Sequence, residues 1–556
     1  MVNPAIPPPP LQDEHAFPTL TPEQIARLAL HGRPRSVKAG EALLMAGQQP
    51  SALFVVTAGQ LDGVQSGSGS ERVVASFRAG QFTGETTLLS GRQGLATIRA
   101  AEPTEVIEID RKEFLRLIQT DDPLSETLMR AFILRRVTLI ARGFGDVVLV
   151  GSNFCQGTLR IKEFLTRNGH PYSFVDLDRD PEAQDLLDRF GVGVGDVPVL
   201  ICRGAGVLRN PANAQIADCL GFNEAIDRER LRDVLVVGAG PAGLAAAVYG
   251  ASEGLDVLVL EADAPGGQAG SSSKIENYLG FPTGISGRDL AGRALAQAER
   301  FGAELMIAKG ARRLDCEKKP YAIAVEGGPR VSARSVVIAT GARYRKLTVE
   351  NLERFEGAGV YYVATPIEAQ LCSDEELVVV GGGNSAGQAA MFLSRTAKRV
   401  HILIRAAGLA ETMSRYLVRR IEDNPAIVLH PQTEIVALEG ANHLERVTWR
   451  DSRTGAPTTH EIRHVFSMTG ADPNTGWLNG CVALDGSGFI KTGPDLSQED
   501  LSAAGWPLAR PPRLLETSRP GVFAVGDVRC GNVKRVASAV GEGSIAISLV
   551  HETLAE

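Results

Sequence analysis

The chain has 556 residues, 44% of them apolar and 22% charged, with 60 glycines and a formal net charge of −7. That length exceeds one hydrophobic core, so three or four domains of a loop-rich α/β protein are expected. The acidic balance excludes the electrostatic footprint of a nucleic-acid binder, and no apolar run reaches the roughly 18 residues a membrane span needs.

The first 18 residues, rich in proline, read as a flexible tail with neither the basic start nor the apolar stretch of a secretion signal, so a cytoplasmic location is expected. A helix from about Thr21 is followed by "VKAGEALLMAGQQPSALFVVTAGQLDGV", short alternating strands punctuated by glycine, the pattern of a small β-roll. Amphipathic helical sequence from Arg111 to Gly143 closes that unit. Next, "DVVLVGSNFCQGTLRIKEFLTRNGHPYSFVDLDRD" alternates strand, helix and strand, "VPVLIC" adds a strand, and two larger α/β units follow. The seven cysteines (155, 202, 219, 316, 372, 481 and 530) form no C-x-x-C, so reduced thiols and no metal site are expected.

In "VLVVGAGPAGLAAAVYGASEGLDVLVLEA" an apolar strand ends in Gly238, Gly240 and Gly243, a helix follows, and a second strand runs to Glu261. Gly238 permits the tight turn, Gly240 lets backbone N–H groups approach a pyrophosphate at the helix N-terminus, and Gly243 allows helix and strand to pack closely. Glu261 can accept hydrogen bonds from a ribose diol. The pattern repeats in "ELVVVGGGNSAGQAAMFLSRTAKRVHILIRAAG", with Gly381, Gly383 and Ala386 in the fingerprint positions, Asn384 and Ser385 between them, and Arg405 where the first site has its acid. A guanidinium there suits a 2′-phosphate, which favours NADPH. Two nucleotides in one chain imply electron transfer between them.

From Val234 onward the chain resembles the bacterial-type thioredoxin reductases. Besides both fingerprints it carries "PGGQ", "IENYLGFP", "VVIATGA", "TGADPNTGWL" and "GVFAVGDVRCGNVKRVASAVGEG". The resemblance implies an FAD domain built from residues 232–342 and 466–556, an NAD(P)H domain of 343–465 inserted between its halves, and a homodimer. It also implies FAD contacts at Gly267, Gln268, Asn277, Thr340, Gly341, Gly526 and Asp527, with the helix that opens at Val536 and Ala537 aimed at the flavin ring, where a positive helix end favours the reduced, anionic form.

Aligning "YYVATP", Tyr361 to Pro366, on the family's Tyr-Cys-Ala-Thr-Cys puts Val363 and Pro366 where the two redox cysteines belong. Neither can attack a disulfide or store electrons. Cys372 stands alone and reads as a structural thiol. The family also has a second arginine after Arg405, where this chain has Ala406. One lost charge-assisted hydrogen bond, worth roughly 1.5–3 kcal/mol, would weaken NADPH preference about 10- to 100-fold and leaves NADH open, unless Arg415, Arg419 or Arg420 compensates.

Residues 146–225 resemble a glutaredoxin or thioredoxin-like domain, with Cys155 on the catalytic cysteine position, Thr158 on the second, and Pro198 at the place of the fold's cis-proline. Residues 19–145 resemble a cyclic-nucleotide-binding domain, in which Glu85 would hold the ribose hydroxyl. The arginine that should neutralise the cyclic phosphate is replaced by Gly94 or Leu95, and Arg92 could substitute only with a rebuilt loop, so tight cyclic nucleotide binding is not expected.

The expected architecture is therefore multidomain α/β, with two Rossmann-like domains for FAD and NADPH preceded by a β-roll and a thioredoxin-like domain. The expected function is an FAD-dependent NAD(P)H oxidoreductase that reduces a small-molecule or protein electron acceptor. Two alternatives stay open: disulfide reduction routed through Cys155, and a redox or nucleotide sensor.

Overall fold

The computed structural model describes residues 14–66, 71–84, 87–141, 147–153, 155–178, 196–202, 206–272, 274–441, 443–478 and 480–556. Glu85 lies outside the described residues.

Thr21 and Gln24 form a reciprocal capping box that starts the first helix, Pro22–Ala29. Two small sheets follow, one ordered Arg33–Val37, Thr104–Asp110, Ala52–Ala58 and the other Ala42–Leu44, Thr97–Ala100, Gln60–Ser66, Glu71–Arg78. Their inward residues, among them Phe54, Val56, Phe77, Ile98 and Val106, form one core. The helices Arg111–Thr120 and Asp122–Ala141 close the roll.

The next unit is a four-stranded sheet ordered Gly206–Arg209, Val199–Cys202, Val147–Gly151, Ser173–Asp176, with only the last pair parallel. Its principal helix, Gln156–Arg167, buries Ile161, Phe164 and Leu165 against that sheet. The Val197–Pro198 bond is cis, as the resemblance implied.

The two larger units carry the nucleotide fingerprints. In the first, strands Val257–Leu260, Arg232–Val237 and Arg330–Ile338 run parallel, and Val522–Ala524 joins the far side of Arg330–Ile338 although nearly two hundred residues of chain intervene. In the second, a parallel sheet is ordered Val360–Tyr361, Val465–Ser467, Glu376–Val380, Arg399–Leu403, Ile427–His430. Its strands are short continuous apolar runs because both faces are covered.

Side chains from one unit complete the cores of others. Leu159 packs inside the core of the second nucleotide unit, Ala296 inside that of the β-roll, and Ile307 and Ala308 inside that of the thioredoxin-like unit.

The expectation of seven reduced thiols is corrected here: Cys316 and Cys481 form a disulfide, and the other five are free. The two lie 165 residues apart, one in each half of the interrupted unit, so no local spacing announces the pair.

Candidate functional site

At the first fingerprint the backbone geometry requires glycine. Gly238 sits at φ +102°, and a Cβ there would lie 2.4 Å from the Ala339 carbonyl oxygen. A Cβ on Gly243 would lie 1.8 Å from the Gly238 carbonyl oxygen, so the helix Pro241–Ser252 approaches its strand only because that atom is missing. Gly240 occupies the N-cap of this helix with no side chain over the free N–H groups, and Pro241 fills the first position, where no N–H is needed. The Glu261 carboxylate accepts the N–H groups of Ala239 (2.6 Å) and Asp263 (2.9 Å), and burial raises its pKa.

The "PGGQ" turn closes against this loop: Gly266 N–H donates to the Ala239 carbonyl (2.7 Å), Gly267 sits at φ +55°, and Gln268 donates to the Ala342 carbonyl. Thr340 and Asn474 exchange two hydrogen bonds at 2.9 Å, which tie the "ATGA" turn containing Gly341 to the later half of the unit. Gly526, at φ +72°, donates its N–H to Glu542 (2.7 Å), and Glu542 also receives Arg529 and Asn532. The following Asp527 is half-buried, which raises its carboxyl pKa, and its side chain receives no hydrogen bond from the described residues. Val536 and Ala537 open the helix Val536–Leu554, whose N-cap side chain makes no capping bond. Asn277 is exposed, next to a Glu276 that faces the other nucleotide unit.

These features fit FAD. The glycine cradle leaves room for a pyrophosphate, Glu261 closes the loop for a ribose, and Asp527 is a half-buried acceptor wanting a hydroxyl donor.

The second fingerprint repeats the construction. Gly381 sits at φ +139°, with a Cβ position 2.5 Å from the Met468 carbonyl oxygen. Gly383 N-caps the helix Asn384–Leu393 beside open space, Ala386 is fully buried, and Asn384 Oδ1 accepts from the Ser414 N–H (2.8 Å) and hydroxyl (2.9 Å). Tyr344, on the strand Ala342–Tyr344 that connects the two units, packs against the core of the second, and burial raises its pKa, with Ser385 opposing that shift. Arg405 is exposed just beyond the strand Arg399–Leu403. Arg420 is engaged elsewhere, donating to Glu276 at 2.8 Å, which leaves Arg415 and Arg419 as the candidates to assist Arg405.

Where the redox pair would stand, Val363 is half-buried and Pro366 is the first residue of the helix Pro366–Leu371, capped by Thr365 and Glu368. The neighbouring Tyr361, Ala364, Ala369 and Cys372 share one core with Leu159 of the thioredoxin-like helix. Cys372 is fully buried, donates to the Glu368 carbonyl at 3.3 Å, and is pushed up to about 12 by burial, the properties of a structural thiol.

Cys155 is the half-exposed N-cap of the helix Gln156–Arg167, and its side chain makes no capping bond. At the helix's other end Arg167 donates to Asp263 (2.9 Å) and to the carbonyls of Gly267 (3.1 Å) and Ala264 (3.3 Å). About 18 Å of helix therefore separates Cys155 from the end that meets the "PGGQ" turn. Another thiol pair escaped the sequence reading: Cys202 and Cys219 hydrogen-bond one another, which pushes the Cys202 thiol up and holds Cys219 down. Arg167, Tyr344, Asn474 and Glu542 were missed as well. The last three adjoin motifs already noted, whereas Arg167 acts across a domain boundary that nothing local signals.

Among family models, that described as pyridine nucleotide-disulphide oxidoreductase matches residues 232–543, more than half the chain. The chain belongs to that family. This oxidoreductase also matches the cyclic nucleotide-binding domain model over residues 34–121 and the glutaredoxin model over 147–207, so the fused architecture read from the sequence holds. It is 32% identical to NADPH-dependent thioredoxin reductase 3 of Arabidopsis thaliana over 62% of its own length, and spans 64% of that relative. It is 33% identical to the thioredoxin reductase of Streptomyces clavuligerus over 57% of its length and 92% of the relative's. Among solved structures, Lactococcus lactis thioredoxin reductase in the FR conformation matches with a TM-score of 0.52 at 27% identity, covering 58% of this chain and 99% of that one. The T. acidophilum thioredoxin reductase matches with a TM-score of 0.52 at 30% identity over 59% and 100%. The protein is accordingly an FAD-dependent NAD(P)H oxidoreductase of the thioredoxin reductase type. Among the described residues no helix is long and apolar enough to cross a membrane, and no cluster of metal-ligating side chains occurs.

Proposed function

We propose that this oxidoreductase hands electrons from its flavin site directly to an external acceptor, without a redox dithiol at the Val363 and Pro366 positions. The observation that carries the reading is the fate of the dithiol position: Val363 and Pro366 replace the thiols, and Leu159 of the glutaredoxin-like helix joins the same core as their neighbours Tyr361, Ala364 and Ala369. FAD supplies hydride acceptance from the nicotinamide and electron delivery to the acceptor. The chain's own residues do the rest. Gly238, Gly240 and Gly243 bring N–H groups to the pyrophosphate, Glu261 orients a ribose, and Asp527 accepts a ribityl hydroxyl. The open end of the Val536–Leu554 helix favours the negative charge that reduction brings to the ring.

Gly381, Gly383, Asn384, Ser385 and Ala386 hold the pyridine nucleotide, and Arg405 is its 2′-phosphate contact. The Arg420–Glu276 pair joins the two nucleotide units, which suits a reaction with no dithiol to serve. An acceptor of the quinone or one-electron class needs only access to the flavin edge.

The test is anaerobic stopped-flow reduction by NADPH and by NADH, followed by mixing with a quinone or a protein disulfide, in wild type and Cys155→Ser. Fast bleaching and quinone reoxidation indifferent to Cys155 are expected. Reoxidation by a disulfide that depends on Cys155 would sink the reading in favour of a route through the glutaredoxin-like domain, and failure to bleach would remove the enzymatic reading.

A further inference from the structure

The β-roll contains a cavity whose chemistry is opposite to that of a cyclic nucleotide. It encloses about 90 Å³ of interior space, and about 890 Å³ when its open mouth is included. That interior corresponds to roughly six water-sized volumes. Its wall is built chiefly from Phe17, Leu44, Phe54, Phe77, Leu95 and Ile98. Leu95 thus lines the cavity from one of the two places where the cassette's phosphate-binding cation was sought, and it is 5% exposed.

The two nearby guanidiniums are committed. Arg135 donates to the carbonyls of Ala16 (2.7 Å) and Gly84 (2.8 Å) and lies over the rings of Phe17, Phe77 and Phe82 at 4.6–5.1 Å. Arg92 is turned out of the roll onto Phe222 of the following domain, 5.3 Å from its ring centre. Arg135 is also part of the wall, with Thr83, Thr87 and Thr138, but its guanidinium is already engaged, so a phosphate entering this space would lose its hydration and meet a mostly apolar lining, whereas an uncharged ring system would exchange water contact for dispersion contact with the apolar side chains.

The cavity is also joined to the flavin site by packing. Thr87 and Leu88 form part of its wall, and Leu88 shares a core with Ala296 of the helix Gly287–Arg300. On the same helix Ala291 abuts the "PGGQ" turn, where a Cβ added to Gly266 would stand 2.5 Å from the Ala291 methyl. One helix therefore touches both the cavity wall and the turn assigned to FAD.

We propose that the β-roll is a receptor for a small, uncharged, apolar molecule, and that its occupancy is felt at the flavin through the Gly287–Arg300 helix. The coupling rests on the FAD site assigned above; the ligand class does not.

The experiment titrates the full-length holoprotein with the neutral fluorophore N-phenyl-1-naphthylamine, in the presence and absence of millimolar cyclic AMP. It uses wild type and two variants, Ala75→Trp, which fills the cavity, and Leu95→Arg, which charges it. Saturable binding indifferent to cyclic AMP, weakened at least tenfold in either folded variant, is expected, together with a change of at least twofold in the NADPH reduction rate of wild type at saturation. Absence of saturable binding, displacement by cyclic AMP, or binding undiminished in the variants overturns the ligand class. Since the wild-type measurements stand alone, a variant that fails to fold does not protect the proposal. Binding with an unchanged flavin rate overturns the coupling and leaves the ligand class standing.

Discussion

Replacing Leu159 by alanine tests the contact on which the proposed electron path depends. Leu159 is 8% exposed and packs in the core of the NAD(P)H-binding unit, whereas Ile161, Phe164 and Leu165 of the same helix serve the glutaredoxin-like core. The substitution therefore weakens docking and leaves the folding of the small domain intact. A buried Leu→Ala change costs about 2.7–5 kcal/mol in a rigid core, and an interface able to close partly over the gap belongs near the lower end, about 3 kcal/mol. At 1.4 kcal/mol per factor of ten, the opening equilibrium of the interface shifts by roughly 10²-fold. Hydrogen exchange at the amides of the helix Pro366–Leu371 is the assay, because Ala369 of this helix shares its core with Leu159. Their exchange should accelerate by about that factor, while NADPH reduction of the flavin stays within about twofold and Leu159→Met restores protection. Unchanged exchange would refute the idea that the glutaredoxin-like domain covers the dithiol position.

Acid sensitivity should centre on His170. Burial first, and then the charges of Arg136 and Arg92, hold its imidazole down at about 3. Its unfolded pKa is the ordinary 6.5, so the stability tied to the neutral ring is complete above pH 6.5 and declines as pH falls toward 3. Linkage gives a loss of about 2 kcal/mol by pH 5. His170→Phe, next to the Phe222 ring, should flatten that limb in denaturation followed through the glutaredoxin-like domain; an equally steep limb in the variant would refute the assignment. Arg405→Ala should cut NADPH preference over NADH by roughly tenfold in kcat/KM, and an unaltered ratio would mean that Arg415 or Arg419 carries the phosphate. Thiol titration of the unreduced, unfolded chain should find five reactive groups and, after reduction, all seven cysteines. Seven before reduction would rule out the Cys316–Cys481 bond.

Both fingerprints were legible because their chemistry is local: strand, glycine turn and helix lie within one βαβ unit, and Gly238, Gly243 and Gly381 are each required by an atom a few residues or one strand away. The same holds for Cys372, whose isolation before an apolar strand already suggested a structural thiol. What escaped reading lies between units. In the helix Gln156–Arg167, Ile161, Phe164 and Leu165 serve the core of their own unit while Leu159 enters a different one, a division that the sequence does not signal. Arg167 resembled an ordinary basic residue completing a helix end, while its fork holds the flavin-side turn. The choice between Gly94 and Leu95 turned on a gap that spacing alone left undecided, and both positions line the cavity, neither with a cation. Cys316 and Cys481 belong to separate halves of an interrupted sheet, so their pairing depends on tertiary closure.

That interrupted sheet bears on how the protein is made. Strand Val522–Ala524 pairs with Arg330–Ile338, which leaves the ribosome roughly 180 residues earlier, a delay of about 10–40 s at ordinary elongation rates. During that interval the roll and the glutaredoxin-like domain can fold, and the NAD(P)H unit can close its own sheet, but the first nucleotide unit waits with an open strand edge and no Asp527. Flavin capture is consequently a late event in synthesis, and a chain interrupted between Ser467 and Val522 would emerge with three folded neighbours around a domain unable to turn yellow.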